Sequence, residues 1–147
     1  MLSVIVEVHD AGERLPGMLA MLTTAAVEGL VREVVLVGGG PPELLDVLRE
    51  ETGAELAGSV VEAIGVARSE LLLVISADLR PRPGWVAALG LHLRGGGREA
   101  VLAGEGGGFL KAAPYGVLIG RGKAAALTHP DLQRLRRQLG PRAPRIG

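Results

Sequence analysis

The sequence predicts an α/β fold: a three-layer sandwich with a mostly parallel central sheet between helical layers. Three observations carry this. Apolar runs rich in Val and Leu occur at Leu2–Val8, Val31–Val37 and Leu71–Ser76, and near-continuous apolar character marks strands covered on both faces. Stretches with helical spacing separate them, and a helix-length connection between strands is a crossover, which makes the strands parallel. Glycine clusters, Gly38-Gly39-Gly40 and Gly95-Gly96-Gly97, punctuate the pattern.

The elements follow in order. After Leu2–Val8, the run His9-Asp10-Ala11-Gly12 breaks the strand. A helix is expected from Glu13 to Gly29, with Pro16 in its first turn. Leu15, Leu19, Leu22 and Ala26 form its core face. Val31–Val37 is the second strand. Pro41-Pro42 opens a helix, with Leu44, Leu45 and Leu48 inward and Gly53 beyond its end. Ala54–Ala57 is a short strand and Ser59–Arg68 a helix. Leu71–Ser76 is the strongest strand pattern. A helix follows Pro83-Gly84-Trp85 and runs to about Leu93. Glu99–Ala103 and Tyr115–Ile119 read as strands, with Gly104–Gly108 a loop between them. Arg121–Thr128 and Asp131–Leu139 read as helices. One domain over residues 1–140 and a flexible tail over 141–147 complete the organisation.

Composition narrows the function. The 147-residue chain is 48% hydrophobic, and a domain of that size buries roughly two-thirds of its unfolded surface without staples. It has no cysteine, so disulfides, thiolate nucleophiles and Cys-ligated metals are excluded. Sixteen basic residues balance sixteen acidic ones, and there is one Trp, one Tyr and one Phe. Neither a basic excess nor stacking platforms point to nucleic acid. Arg134, Arg136, Arg137, Arg142 and Arg145 make the C-terminus locally basic. That is either a solvated face or a patch for phosphate or anionic headgroups, so peripheral membrane contact stays open. No run approaches the ~18 apolar residues of a membrane span, and Met1–Val8 lacks the charged leader of a signal peptide. The expected location is the cytoplasm.

Three segments carry a resemblance. The first is Ser3-Val4-Ile5-Val6 with His9-Asp10-Ala11-Gly12-Glu13-Arg14-Leu15. The second is Val34-Val35-Leu36-Val37-Gly38-Gly39-Gly40-Pro41. The third is Leu72-Leu73-Val74-Ile75-Ser76-Ala77-Asp78, followed by Pro83-Gly84-Trp85. Together, over residues 2–93, they resemble the family 2 glycosyltransferases, whose GT-A fold binds nucleotide-sugars. The resemblance implies that the loop at His9 and Asp10 approaches the nucleotide. It implies that Gly38 and Gly39 stand where the family has acids, the first contacting the base. Ser76 stands in place of the first acid of the Asp-x-Asp motif, and Asp78 keeps the last.

The resemblance further implies a nucleotide-sugar donor, an unspecified acceptor, and Mg²⁺ or Mn²⁺ held by Asp78 against the diphosphate. Such a cation suits one or two carboxylates plus phosphate oxygens. Asp78 is otherwise a turn residue at a strand end. An inverting transfer needs a general base in the second half, for which Glu105 and Asp131 are the candidates. Asp131 is otherwise a helix N-cap, His129 a loop histidine, and Trp85 either core or a sugar platform. The acids missing at Gly38, Gly39 and Ser76, and a short second half, keep an alternative open: a catalytically inactive glycosyltransferase-fold protein acting as a binding or interaction module. A further alternative is an unrelated Rossmann-like domain using Gly38–Gly40 to cradle phosphate.

Overall fold

The computed structural model describes residues 1–8, 15–38, 42–107, 109 and 113–147. Among these residues are seven strands, β1 (Leu2–Glu7), β2 (Val31–Val37), β3 (Glu55–Ala57), β4 (Leu71–Ser76), β5 (Ala100–Ala103), β6 (Tyr115–Gly120) and β7 (Arg145–Ile146), and six helices. The helices are α1 (Leu15–Val27), α2 (Pro42–Thr52), α3 (Val60–Val66), α4 (Trp85–Arg94), α5 (Arg121–Ala125) and α6 (Leu132–Leu139). The strands form one sheet in the order β3-β2-β1-β4-β6-β5-β7. Pairing is parallel from β3 through β4 and between β5 and β7, and antiparallel where β6 meets β4 and β5.

Two cores sandwich this sheet. Strand alternation sends Leu2, Val4, Val6, Leu73 and Ile75 to one face, where α1 and α4 cover them with Leu15, Leu19, Leu22, Trp85 and Leu89. It sends Ile5, Val35, Leu72, Val74, Val117 and Ile119 to the other. There α3, α5 and α6 supply Ala63, Ile64, Ala124 and Leu135. The three-layer, mostly parallel α/β architecture is therefore the one expected.

Local differences have physical reasons. Ala25, not Ala26, completes the buried face of α1, because at 3.6 residues per turn the stripe through Leu15, Met18 and Leu22 continues to 25. Trp85 belongs to the core, at 8% exposure. The inward positions expected for Leu44 and Leu48 lie outside the described side chains. The largest correction concerns the C-terminus. Expected as a loose tail, it instead adds a strand: β7 pairs in parallel with β5, and the Val101 amide donates to the Pro144 carbonyl at 2.8 Å. A free sheet edge has unpaired donors and acceptors that a short segment can satisfy. The loop after β5 is also tied down at its start, through an isolated bridge between Gly104 and Pro81. Among the described residues no helix is long and apolar enough to cross a membrane.

Candidate active site at the carboxyl ends of the parallel strands

Chain order reverses direction at β1. The chain moves outward through β2 and β3, then returns to β4 on the other side of β1. In open α/β sheets such a switch point opens a crevice beyond the carboxyl ends of the strands. Here those ends are in register: Glu7 lies opposite Val37 on β2 and opposite Ser76 on β4. Neighbouring strands lie about 4.8 Å apart. Glu7 shares its face with Ile5, and Ser76 with Leu72 and Val74, so both side chains stand on the α3/α6 face.

A cleft of about 390 Å³ opens at this edge, lined by Glu7, Val37, Gly38, Ser59, Val60, Val61, His129, Pro130 and Asp131. Each wall has a local cause. Gly38 follows β2 with φ +48°, a left-handed backbone that glycine tolerates. It is anchored by its amide donating to the Ala57 carbonyl at 3.2 Å. Ser59 caps α3, its Oγ accepting from the Glu62 amide at 3.2 Å, while Glu62 Oε2 accepts from the Gly58 amide at 2.8 Å. This reciprocal arrangement holds the entry to α3 in place. Asp131 caps α6: its Oδ1 accepts from the Arg134 amide at 2.8 Å. The cap reading of Asp131 therefore holds, and the same residue also faces the cleft.

Asp78 sits one step further along the edge. The Ala77 amide donates to the Glu7 carbonyl at 3.0 Å, which ties the end of β4 to the end of β1. The turn from Ser76 to Leu79 is closed by backbone alone, the Leu79 amide donating to the Ser76 carbonyl at 3.0 Å. Asp78 is partly buried. Among the described residues its carboxylate enters no hydrogen bond or ion pair. The bond that closes the turn is made by backbone and leaves the side chain out of it.

The cleft brings together Gly38 and Asp131; Ser76 is the register partner of Glu7 on the adjacent strand, and Asp78 follows two residues later, neither of them lining that cleft. His9, Asp10 and Gly39 lie outside the described residues. Glu105 is not in the same cleft. Its amide donates to the Arg80 carbonyl at 2.7 Å, and it lines a separate cavity of about 700 Å³ with Thr24, Trp85 and Arg94. That larger cavity lies against α1 and α4, so the switch point, not size, singles out the smaller one. Sequence reasoning missed Glu7 as a site residue. A single charge ending an apolar strand was its signal, since a buried charge is costly unless something meets it. Glu7 is 8% exposed.

The basic C-terminal residues separate into two groups. The Arg136 guanidinium stacks 4.5 Å from the Tyr115 ring centroid, and Arg134 bonds the His129 carbonyl at 3.2 Å. Arg137, Arg142 and Arg145 are exposed. No metal-holding group of three or more His, Cys, Asp or Glu occurs among the described residues.

No family model matches the sequence, and no curated protein is similar to it at the sequence level. Solved structures do resemble its fold. One is described as a mycobacterial protein, with TM-score 0.67 and 14% identity over 99% of this chain and 64% of that one. Another is glucosyl-3-phosphoglycerate synthase from Mycobacterium tuberculosis, solved with Mn²⁺, UDP and glucosyl-3-phosphoglycerate. Its TM-score is 0.62 at 14% identity, over 99% of this chain and 69% of that one. 4-Diphosphocytidyl-2C-methyl-D-erythritol synthase matches at TM-score 0.52 and 15% identity, over 99% and 88%. The chain thus spans about two-thirds of the length of the first two. Its fold is of the GT-A type, that of the nucleotide-diphospho-sugar transferases.

Proposed function

We infer that this chain binds a nucleotide-sugar at the carboxyl edge of β1, β2 and β4 and transfers the sugar to an acceptor hydroxyl with inversion. The observation that carries the reading is the coincidence of the cleft at Glu7, Gly38 and Asp131 with the topological switch point, at the strand ends that lead to Asp78. The structurally similar synthase was solved with UDP and Mn²⁺, which supports the donor class.

The residues at the edge suit a divalent cation only as a site that the donor completes. Asp78 offers a carboxylate with no partner among the described residues and Ser76 a hydroxyl, and a bound Mg²⁺ or Mn²⁺ would take its remaining positions from phosphate oxygens and water. A cation bound there neutralises the charge of the leaving diphosphate. The protein's own work is positioning. The acceptor oxygen attacks the anomeric carbon from the face opposite the donor's C–O bond. That bond breaks, and its electron pair leaves with the nucleoside diphosphate. The acceptor proton passes to a carboxylate, which in this reading is Asp131, since it shares the cleft with Glu7 and Gly38. Glu105 faces the other cavity.

The test is thermal stability with UDP- and GDP-sugars in the presence of Mn²⁺. Wild type is expected to be stabilised and Asp78→Ala not. An equal shift for both proteins, or no shift for wild type, removes the metal-dependent donor site. Donor binding without any turnover or hydrolysis favours the inactive binding module.

A further inference from the structure

The cleft at the strand ends does not stop at Asp131. On the α3/α6 face it adjoins a second hollow, of about 280 Å³, between α3 and α5, and Val61 and Pro130 line both. The floor of this groove is apolar and buried: Ile64 is 4% exposed and Ala124 0%. Val61, Ala125 and Leu127 continue it outward. Arg121 is the one charged residue among the described lining residues. Its guanidinium donates to the Ala67 carbonyl at 2.8 Å and lies 3.5 Å from the Glu70 carboxylate. The charge is thus met elsewhere, and the stem is the part of Arg121 that can cover apolar surface. Two glycines keep the groove open. Gly65 lies within α3 and Gly122 within α5, and both line the hollow. A glycine inside a helix weakens it relative to alanine. Neither position has a positive φ, and a Cβ built on either meets no neighbouring atom within 4 Å. The fold therefore does not require these glycines, whereas an open groove does.

We propose that this groove holds the hydrocarbon chain of the acceptor, which is then an amphipathic alcohol: its hydroxyl sits at Asp131 and its apolar chain between α3 and α5. The inference rests on the donor-site reading above and deepens it. Pro130 directly precedes Asp131, so a chain lying along Val61 and Pro130 brings its polar end to the Asp131 carboxylate. Burying hydrocarbon against Ile64 and Ala124 is favourable in proportion to the apolar area removed from water. A fully polar acceptor gains nothing from such walls and gives up its water to enter.

Titration of the full chain with 1-butanol, 1-hexanol and 1-octanol, followed by amide chemical shifts, reads the groove directly. Saturable shifts are expected at Ile64, Ala124 and Leu127. Each further CH₂ that enters the groove should tighten the dissociation constant about fourfold. Gly65→Leu puts a side chain into the groove and raises the helix propensity of α3. It is therefore expected to fold, and to bind 1-octanol at least about 10-fold more weakly than wild type. A dissociation constant indifferent to chain length, or equal octanol affinity in Gly65→Leu and wild type, overturns the proposal. UDP with Mn²⁺ is titrated into wild type separately. UDP binding without a chain-length gradient overturns the groove alone and leaves the donor site standing. A gradient without UDP binding overturns the donor site, and with it the acceptor role of the groove.

Discussion

Asp131 carries two roles that a pair of substitutions separates. As N-cap of α6 its Oδ1 accepts the Arg134 amide at 2.8 Å. Replacing it with alanine leaves that amide without its cap, at a cost of about 1 kcal/mol. The second contact, Oδ2 to Arg134 Nε at 3.7 Å, joins side chains that are 54% and 52% exposed. Solvent screens such a pair, and it adds at most a few tenths of a kcal/mol. For a chain of this size Asp131→Ala is therefore expected to lower Tm by about 3 °C. Asp131→Asn keeps an oxygen acceptor of equal capping strength, so its Tm should fall by less than about 1 °C. A carboxamide cannot take a proton from an acceptor hydroxyl, so both variants should lose sugar transfer. Calorimetric melting and a donor-consumption assay on the same preparations read the two roles. Asparagine as destabilising as alanine would refute the cap argument. An Asn variant that retains transfer would refute the assignment of Asp131 as base.

Two further outcomes concern the sheet. Gly116→Ala places a Cβ 2.8 Å from Ile75 Cγ2 and 3.4 Å from Leu102 Cβ. Overpacking between β4, β6 and β5 should cost about 1–3 kcal/mol, read as a lower urea midpoint at constant m. Ser3 is fully buried; its Oγ donates to Glu33 Oε2 at 2.6 Å and accepts from the Ser69 amide at 3.1 Å. Ser3→Ala removes both bonds and leaves a buried amide unpaired, which should cost about 1–3 kcal/mol by denaturant titration. A cost below about 0.5 kcal/mol would mean that water replaces the hydroxyl.

Sequence patterns located most of the elements, because the signals for them are local. Leu71–Ser76 reads as a buried strand from its own composition, and β4 spans those residues. The helix read over Ser59–Arg68 contains α3, and Asp131 announces α6. Two residues cannot display a period, and β7 has only Arg145 and Ile146 behind a proline. Only the unpaired edge of β5 recruits it, so the supposed tail became part of the sheet.

The strand that leads to Asp78, Leu71–Ser76, was legible from the beginning, and with it the fold type. Its neighbours were not. Glu7 and Ser76 are 69 positions apart in the chain, and they become register partners only when β4 returns beside β1. Parallel pairing is non-local, so no window of sequence shows which residues end side by side. The tertiary structure alone placed Glu7 and Asp131 in one cleft and Glu105 in another, and left the Asp78 carboxylate clear of the backbone bond that closes its turn.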